Sequence, residues 1–287
     1  AMFSIVVLLL VILIMIFAPL VVPYSYEEII SVEGVRDKRA ANLAPFEYSD
    51  MEKAYMEKYN VKVFPHILGT DELCRDYFIR VIYGTRVSLT VGLFAAVIVL
   101  LIGVVYGSIS GYFGGKVDMM MQRFLEVANG IPRLVIVTLL LLVLKPGMIT
   151  IIFALMLTEW VGMSRIARAE MLKLKDQEFV LASRTLGAGS FFIIFKEVLP
   201  NIIGPIITQV MFSIPTAIFT EAFLSFIGIG LAEPQASLGV LINGGYQVLR
   251  MYPHVLIFPA IVIVLIMVCF SILGDGLRDA LDPRLKK

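Results

Sequence analysis

Residues 179–201, FVLASRTLGAGSFFIIFKEVLPN, form a polar stretch between two strongly apolar parts of the chain. A run of good helix formers leads up to Gly187, and glycine ends helices readily because it tolerates a left-handed backbone. Ser190 is a candidate N-cap for the next helix, and Pro200 is expected to end or kink that helix. The pattern therefore predicts a helix over 164–187, a glycine turn and a short second helix.

The composition of the whole chain is that of a membrane protein. Of its 287 residues, 59% are hydrophobic and only 16% are charged, whereas a soluble domain carries about 25% charged residues. A net charge of +1 gives no reason to expect nucleic acid as a partner. The two cysteines lie in different surroundings, so we expect no disulfide, and we expect no metal site from the two histidines.

Six apolar runs are candidates for transmembrane helices, each of which needs roughly 20 residues. They are residues 2–22, 87–110, two runs within 133–165 that a turn at 145–148 separates, 202–220 and 255–273. The first run has neither a basic leader nor a small-residue cleavage site, so we interpret it as an anchor helix and not as a signal peptide. Because the sequence starts almost inside this run, we expect a short tail ahead of it.

Lysine and arginine concentrate in the loops on one predicted side of the membrane. By the positive-inside rule, this distribution places both termini in the cytoplasm and the polar stretch after the first helix outside. The predicted units are a first transmembrane helix at 1–22, an external segment at 23–85, a five-helix core at 86–274 with a cytoplasmic loop at 166–200, and a cytoplasmic tail at 275–287. The external segment is expected to be partly helical around SDMEKAYMEKYN, either as a small folded cap or as a solvated loop.

The stretch around Gly187 resembles the cytoplasmic loop motif of ABC-importer permeases. Since the resemblance implies that this loop couples the permease to an ATPase, residues 166–200 are called the coupling loop below. The positions that match the alanine, the glycine and the Leu-Pro pair of that motif are Ala182, Gly187, Leu199 and Pro200. Leu181 stands where the family has a glutamate, and Ser183 where it has a second alanine. Further segments are similar to the C-type permease subunit of the oligopeptide, dipeptide and nickel class, and they cover 68–89, 111–132, 220–231 and 273–287.

The resemblance implies an all-α membrane protein with six transmembrane helices and the type I ABC importer permease fold, in a bacterial or archaeal plasma membrane. The implied partners are a homologous B-type permease, two ABC ATPase subunits, an external substrate-binding lipoprotein, membrane lipid and a peptide substrate. The chain has no phosphate-binding loop, so ATP and magnesium are expected on the ATPases, and we expect neither a cofactor nor enzymatic activity in this chain. The residues expected to contact an ATPase are Leu181, Ala182, Ser183, Leu186, Gly187, Ala188, Gly189, Phe191, Phe192 and Pro200.

Two acidic residues and one charged cluster are further candidates. Glu221 and Glu159 lie in or beside predicted spans, where a carboxylate is costly and therefore a default functional candidate. Both are candidates for the translocation path, and the structural alternative for Glu221 is a hydrogen bond to the sister permease. The cluster ahead of the second span is either a salt-linked loop or a docking site for the delivery protein, and it consists of Asp71, Glu72, Arg75 and Asp76.

Two alternative functions stay open from the sequence. The same machinery could import nickel or another metal chelate, although the predicted spans contain no histidine or cysteine cluster. A stand-alone secondary transporter is the less favoured alternative, because such proteins often show related halves and no symmetry relates 1–143 to 144–287.

Overall fold

The computed structural model describes residues 1–145 and 147–281, and these residues are mostly helical. Its α-helices are α1 (Met2–Val21), α2 (Asp50–Tyr59), α3 (Tyr77–Ile98), α4 (Val104–Phe113), α5 (Gly115–Gly130), α6 (Arg133–Val143), α7 (Met148–Thr158), α8 (Trp160–Leu174), α9 (Glu178–Thr185), α10 (Ser190–Phe192), α11 (Ile203–Phe226), α12 (Leu238–Val248) and α13 (Pro253–Leu281). A π-helical turn, Val99–Gly103, joins α3 to α4 without a break. Two short strands, β1 (Ser31–Val32) and β2 (Val35–Arg36), pair antiparallel.

Within residues 1–145 and 147–281, five helical runs are long and apolar enough to cross a membrane, and a sixth span is present if a bent pair counts as one. The five runs are Met2–Val21, Tyr77–Phe113, Met148–Leu174, Ser190–Phe226 and Pro253–Leu281. The bent pair is α5 with α6, whose axes meet at 75°. Proline pushes the residue before it out of the helical region, and Ile131, which precedes Pro132, is indeed extended. The predicted third span, the first run within 133–165, corresponds to α6, the second half of this bent pair.

Three glycines bring α4 and α8 into backbone contact. Gly103, Gly107 and Gly111 are four residues apart, so they lie on one face of the helical run. A Cβ added at Gly107 would lie 2.1 Å from the carbonyl oxygen of Ser164, and one at Gly103 would lie 2.6 Å from the Cβ of Met163. Small residues allow such close approach of helices in membranes, and here they join α4 to α8 within one chain.

The first helix is held to α3 by a polar contact as well as by apolar packing. Pro19 in α1 has no N–H group, so the carbonyl of Met15 lacks its usual helical donor. Arg86 of α3 supplies the missing hydrogen bond by donating from Nη2 to that oxygen at 2.7 Å. The same guanidinium lies 4.9 Å from the ring centre of Tyr83, which stacks on Tyr26.

The polar segment between α1 and α3, residues 22–76, is called the cap below. The predicted helix in it is confirmed as α2, which begins with a capping box formed by Ser49 and Glu52. The β1–β2 hairpin was not predicted, because strands of two residues leave no alternating pattern to detect. The cap ends at Asp76, earlier than the predicted 85, since Asp76 caps α3 by accepting a hydrogen bond from the backbone N–H of Ile79.

Candidate functional site

The glycine turn of the coupling loop is a Schellman motif at the end of α9. The N–H of Gly187 donates to the carbonyl of Arg184, and the N–H of Ala188 donates to that of Ser183, both at 3.0 Å. Gly187 has φ +84°, so its prediction as the residue after the helix end is confirmed. A Cβ at this position would meet no atom within 4 Å. The backbone conformation, and not a lack of space within the chain, therefore requires glycine here.

Two details of the predicted coupling loop are wrong, and one of the two alternatives for Pro200 is excluded. The single helix predicted over 164–187 is broken, because α8 ends at Leu174 and α9 starts at Glu178 after an extended Gln177. The predicted N-cap, Ser190, is the first helical residue, and the cap position belongs to Gly189. Pro200 does not end the helical run. It lies in a 3₁₀ turn, and this turn follows a π-helical segment, Ile193–Val198, and leads into α11.

The break before α9 allows the inner face of the coupling loop to pack on the membrane-spanning core. Val180, Ile193 and Ile194 are fully buried in a cluster that also contains Tyr112 of α4 and Met171 of α8. This burial could not be read from local periodicity, since it depends on residues far away in the chain.

Two charged contacts hold the same region together. The guanidinium of Arg184 in α9 lies 5.0 Å from the ring centre of Tyr112 at the end of α4. Arg168 of α8 donates two hydrogen bonds of 2.6 Å to the carboxylate of Asp118 in α5. Such bidentate pairs fix orientation as well as distance. Ser110 of α4 donates a hydrogen bond to the same Asp118 carboxylate. The coupling loop is thus connected by side-chain contacts to α4, and α4 is connected through α5 to α8.

The outer face of the coupling loop is apolar and exposed. We define the coupling face as Leu181, Leu186, Phe191, Phe192 and Phe195. Leu186 is 88% exposed and Phe191 63% exposed, and the rings of Phe191 and Phe195 are parallel. An apolar patch of this kind in a polar loop usually marks an interaction site. Of the predicted contact residues, Ser183 and Ala188 are half-buried. The others are exposed, and they are Leu181, Ala182, Leu186, Gly187, Gly189, Phe191, Phe192 and Pro200.

Glu221 lies inside the helix bundle of its own chain. It is fully buried, and its carboxylate accepts hydrogen bonds from Ser88 at 2.7 Å and from Ser225 at 2.9 Å. The predicted span stopped at 220, whereas α11 continues to Phe226. A path-lining role does not fit this burial, and the hydrogen bonds that were expected to reach a sister permease are made within this chain.

Glu159 lies at the junction between α7 and α8. It is nearly buried, and its Oε1 accepts a 2.7 Å hydrogen bond from Nη1 of Arg133 at the start of α6. Sequence analysis missed Arg133 as the partner, because the break before α6 determines where the guanidinium lies.

The charged cluster ahead of α3 is largely internal. Asp71 binds Arg75 at 2.7 Å and lies 3.1 Å from Arg80, and Arg75 also donates to Glu233 at 2.9 Å. Asp71, Arg75 and Asp76 are buried, so a docking role does not fit these three. Glu72 alone of the predicted cluster is exposed, and docking there stays a prediction.

A buried histidine connects the cap to α3, and sequence analysis did not assign it a role. The Nδ1 of His66 lies 2.8 Å from Asp76 and its Nε2 lies 3.0 Å from Glu52, while Tyr24 stacks on the ring. Burial disfavours the charged imidazolium, but the hydrogen bonds to Asp76 and Glu52 outweigh burial and raise the pKa of His66 to about 9. His66 is therefore a cation held between the two acids that cap α3 and α2.

We expect the cap to loosen at alkaline pH. Because the pKa of His66 is higher in the folded cap than in the unfolded chain, its protonation stabilises the folded form. This stabilisation is fully present below pH 6.5, the unfolded pKa, and is lost as the pH rises through about 9. Hydrogen exchange of residues 22–76 in detergent should therefore accelerate between about pH 8 and 10. His66→Asn should exchange fast at every pH, since it leaves two buried carboxylates without a cation. A wild-type exchange rate with only the intrinsic pH dependence would contradict this prediction.

Comparisons with known proteins agree with the geometry. Residues 103–287 match the family described as binding-protein-dependent transport system inner membrane component. Residues 1–49 match the N-terminal transmembrane domain of oligopeptide transport permease C.

Two curated relatives from Bacillus subtilis (strain 168) are similar over most of the chain. Its dipeptide transport system permease protein DppC is 52% identical over 223 residues, which are 77% of this chain and 70% of that protein. Its oligopeptide transport system permease protein OppC is 49% identical over 222 residues, which are 77% of this chain and 73% of that protein.

Solved ABC importers share the fold at low sequence identity. A chain of the inward-facing MetNI methionine ABC transporter aligns with a TM-score of 0.57 at 18% identity, over 69% of this chain and 94% of that chain. A chain of an amino acid ABC transporter with histidines gives a TM-score of 0.53 at 19% identity, over 71% and 95%. The predicted type I importer permease fold is confirmed. The chain therefore belongs to the binding-protein-dependent transport system inner membrane components, and within them to the OppC/DppC-like ABC permeases.

Proposed function

We propose that this chain is the C-type permease of an ATP-driven peptide importer and that an ATPase subunit binds its coupling face. The names of the relatives, dipeptide and oligopeptide permeases, support peptides as the substrate class. In this assembly a homologous B-type permease completes the path, two ATPases bind ATP and magnesium, and a substrate-binding protein delivers the peptide. Both termini lie in the cytoplasm and the cap lies outside, as the distribution of lysine and arginine indicates.

The observation that carries this proposal is the contrast between the two faces of the coupling loop. Exposed apolar side chains such as Leu186 and Phe191 cover the outer face, while Val180 and Ile193 on the inner face are fully buried. A surface that only lay against lipid would not need a fixed turn. The Schellman motif at Gly187 and the packed inner face instead hold the outer side chains in one arrangement, which suits a groove on a folded partner.

The contacts of the coupling loop provide a route for movement. When ATP brings the two ATPases together, the coupling face moves with the groove that holds it. The buried cluster under α9 and the Arg184–Tyr112 contact pass this displacement to α4 and α8. Packed interfaces with two discrete arrangements convert small shifts into large ones. The spans then alternate between inward-open and outward-open states.

Cysteine crosslinking in the intact complex tests the proposal. Leu186→Cys and Phe191→Cys should each form a crosslink to an ATPase subunit with a short reagent that carries a maleimide for the cysteine and an amine-reactive ester for a lysine of the partner, because both side chains are exposed. Val35→Cys in the cap is the matched control, since Val35 is 59% exposed and lies on the opposite side of the membrane. The native Cys74 and Cys269 are both buried, so background labelling should be low. Crosslinks from Val35→Cys but none from the coupling face would overturn the proposal.

A further inference from the structure

The ion pair between Arg133 and Glu159 lies deep within the membrane-spanning part of the bundle. Ala95 of α3 shares a cluster with Leu155 of α7, and Gly103 contacts Met163 of α8. The two runs are therefore parallel, and Glu159 is level with Val99. At a rise of 1.5 Å per residue, Val99 is about 20 Å along the helix from Arg86 and about 18 Å from Gly111. Since the hydrocarbon core is about 30 Å thick, we infer that Glu159 lies inside it.

One interrupted helix lies at this level. The α5–α6 pair bends by 75° immediately before Arg133, and its partner Glu159 lies at the junction of α7 and α8 within the helical run Met148–Leu174. In transporters, helices interrupted at the midplane commonly mark the place where substrate is bound, because irregular backbone is tolerated in a membrane only beside protein or a water-filled cavity.

The two members of the pair differ in exposure. The side chain of Glu159 is 8% exposed, whereas that of Arg133 is 53% exposed. The neighbouring surface is apolar, with Leu134 at 45% and Val135 at 46% exposed. Among the described residues, the hydrogen bond of the guanidinium is the one from Nη1 to Glu159. A charge with an open side at this depth cannot face lipid, so it faces a water-filled path or another protein.

We propose that Arg133 binds the α-carboxylate of the transported peptide as it crosses the membrane, an inference that rests on the proposed function. A guanidinium presents parallel N–H donors that match a carboxylate bidentately. One edge of Arg133 is held by Glu159, and the exposed edge is available to the peptide. Glu159 balances the arginine charge when the path is empty, so the site is neutral without substrate and attracts an anion only at close range.

The test compares a peptide with its C-terminal amide. The complete complex, with sister permease, ATPases and substrate-binding protein, is reconstituted in liposomes, and ATP-dependent uptake of labelled dialanine and of dialanine amide is measured. We expect the wild-type ratio of maximal rates, acid over amide, to be at least about ten. Arg133→Gln should lower this ratio to about one, because it removes the group that distinguishes the carboxylate from the amide. The half-saturating concentration should stay nearly constant, because the external binding protein sets it.

Two further variants separate carboxylate binding from a structural role. Arg123→Gln is the matched control, since Arg123 precedes the same bend and forms an exposed pair with Glu126, and it should leave the ratio unchanged. Arg133→Lys keeps the positive charge but lacks the parallel N–H donors of a guanidinium. Its ratio of acid to amide transport should therefore lie between those of the wild type and Arg133→Gln. If the complex with Arg133→Gln does not assemble, the ratio of acid to amide transport in Arg133→Lys tests the proposal, and it should be lower than in the wild type.

Each result of these transport measurements leads to a different conclusion about Arg133. An equal loss of acid and amide transport, an unchanged ratio, or a wild-type ratio of one would overturn the assignment. An equal loss accompanied by dissociation of the sister permease would assign Arg133 to the permease interface instead. Wild-type complexes without ATP-dependent uptake of either compound would overturn the proposed function itself, and the carboxylate site with it.

Discussion

Gly187→Arg should abolish peptide transport while the chain still inserts and accumulates in the membrane. A side chain at position 187 meets no atom of this chain within 4 Å, so the folded permease has room for it. The left-handed backbone at φ +84° adds a cost of about 1–2 kcal/mol for a residue other than glycine, which a large membrane bundle tolerates. The arginine would instead project from the surface that the ATPase is proposed to cover. ATP-dependent uptake, measured at matched expression, is the readout.

Two controls separate the backbone effect from the loss of docking. Gly187→Asn should keep most of the transport, because asparagine adopts the left-handed conformation at helix ends and is small. Gly189→Ala should be neutral for the fold, since Gly189 has an ordinary extended backbone. Uptake by Gly187→Arg at the wild-type rate, or an equal loss in Gly187→Asn, would show that bulk at this turn does not obstruct an ATPase.

Gly107→Leu should prevent a stable bundle from forming. Its Cβ would lie 2.1 Å from the carbonyl oxygen of Ser164 and 2.9 Å from the backbone nitrogen of Arg168, so helices must separate before the side chain fits. Adding atoms to a well-packed core usually lowers the free energy of unfolding by about 1–3 kcal/mol. Because backbone atoms cannot move aside as side chains do, we expect a loss at or above the top of that range. We expect little protein in purified membranes, and a lower unfolding temperature for whatever accumulates.

Gly162→Leu is the matched control for this prediction. Gly162 lies on α8, close to the contact with α4, but an added Cβ there meets nothing within 4 Å. The same change of residue at nearly the same depth should therefore leave accumulation of the chain unchanged. Equal accumulation of Gly107→Leu and Gly162→Leu would contradict the backbone contact between α4 and α8.

The features that could be predicted from the sequence were local ones. The apolar runs predict helices without any tertiary information, and the turn at Gly187 follows from glycine after a run of helix formers. The helix around 50–59 is similarly marked by Ser49 and Glu52, which are three residues apart as a capping box requires.

The features that could not be predicted depend on contacts between distant residues. From the sequence, Glu221 was a candidate to line the translocation path or to bind a sister permease. In the structure it accepts a hydrogen bond from Ser88, which lies 133 positions away in the chain and could not be predicted as its partner. The residues next to His66 in the sequence do not indicate that it is charged, because its charge depends on Glu52 and Asp76, which only the fold brings into contact with the imidazole. The break before α9 likewise follows from the burial of Val180, which outweighs a continuous helix-forming sequence.

The backbone contact between α4 and α8 restricts where the permease can change shape. Because no side chain separates the two helices at Gly107, there is no layer that can repack to let one helix slide along the other. A change in the shape of the permease must therefore occur on the side of the bundle where few side chains are buried between helices. The bent α5–α6 pair offers such a side, because α5 buries the single side chain of Leu125 and α6 that of Val137. Arg133 lies at the bend of this pair, so a movement of the pair would also move the proposed peptide contact, and opening of the pore and release of cargo would be a single event.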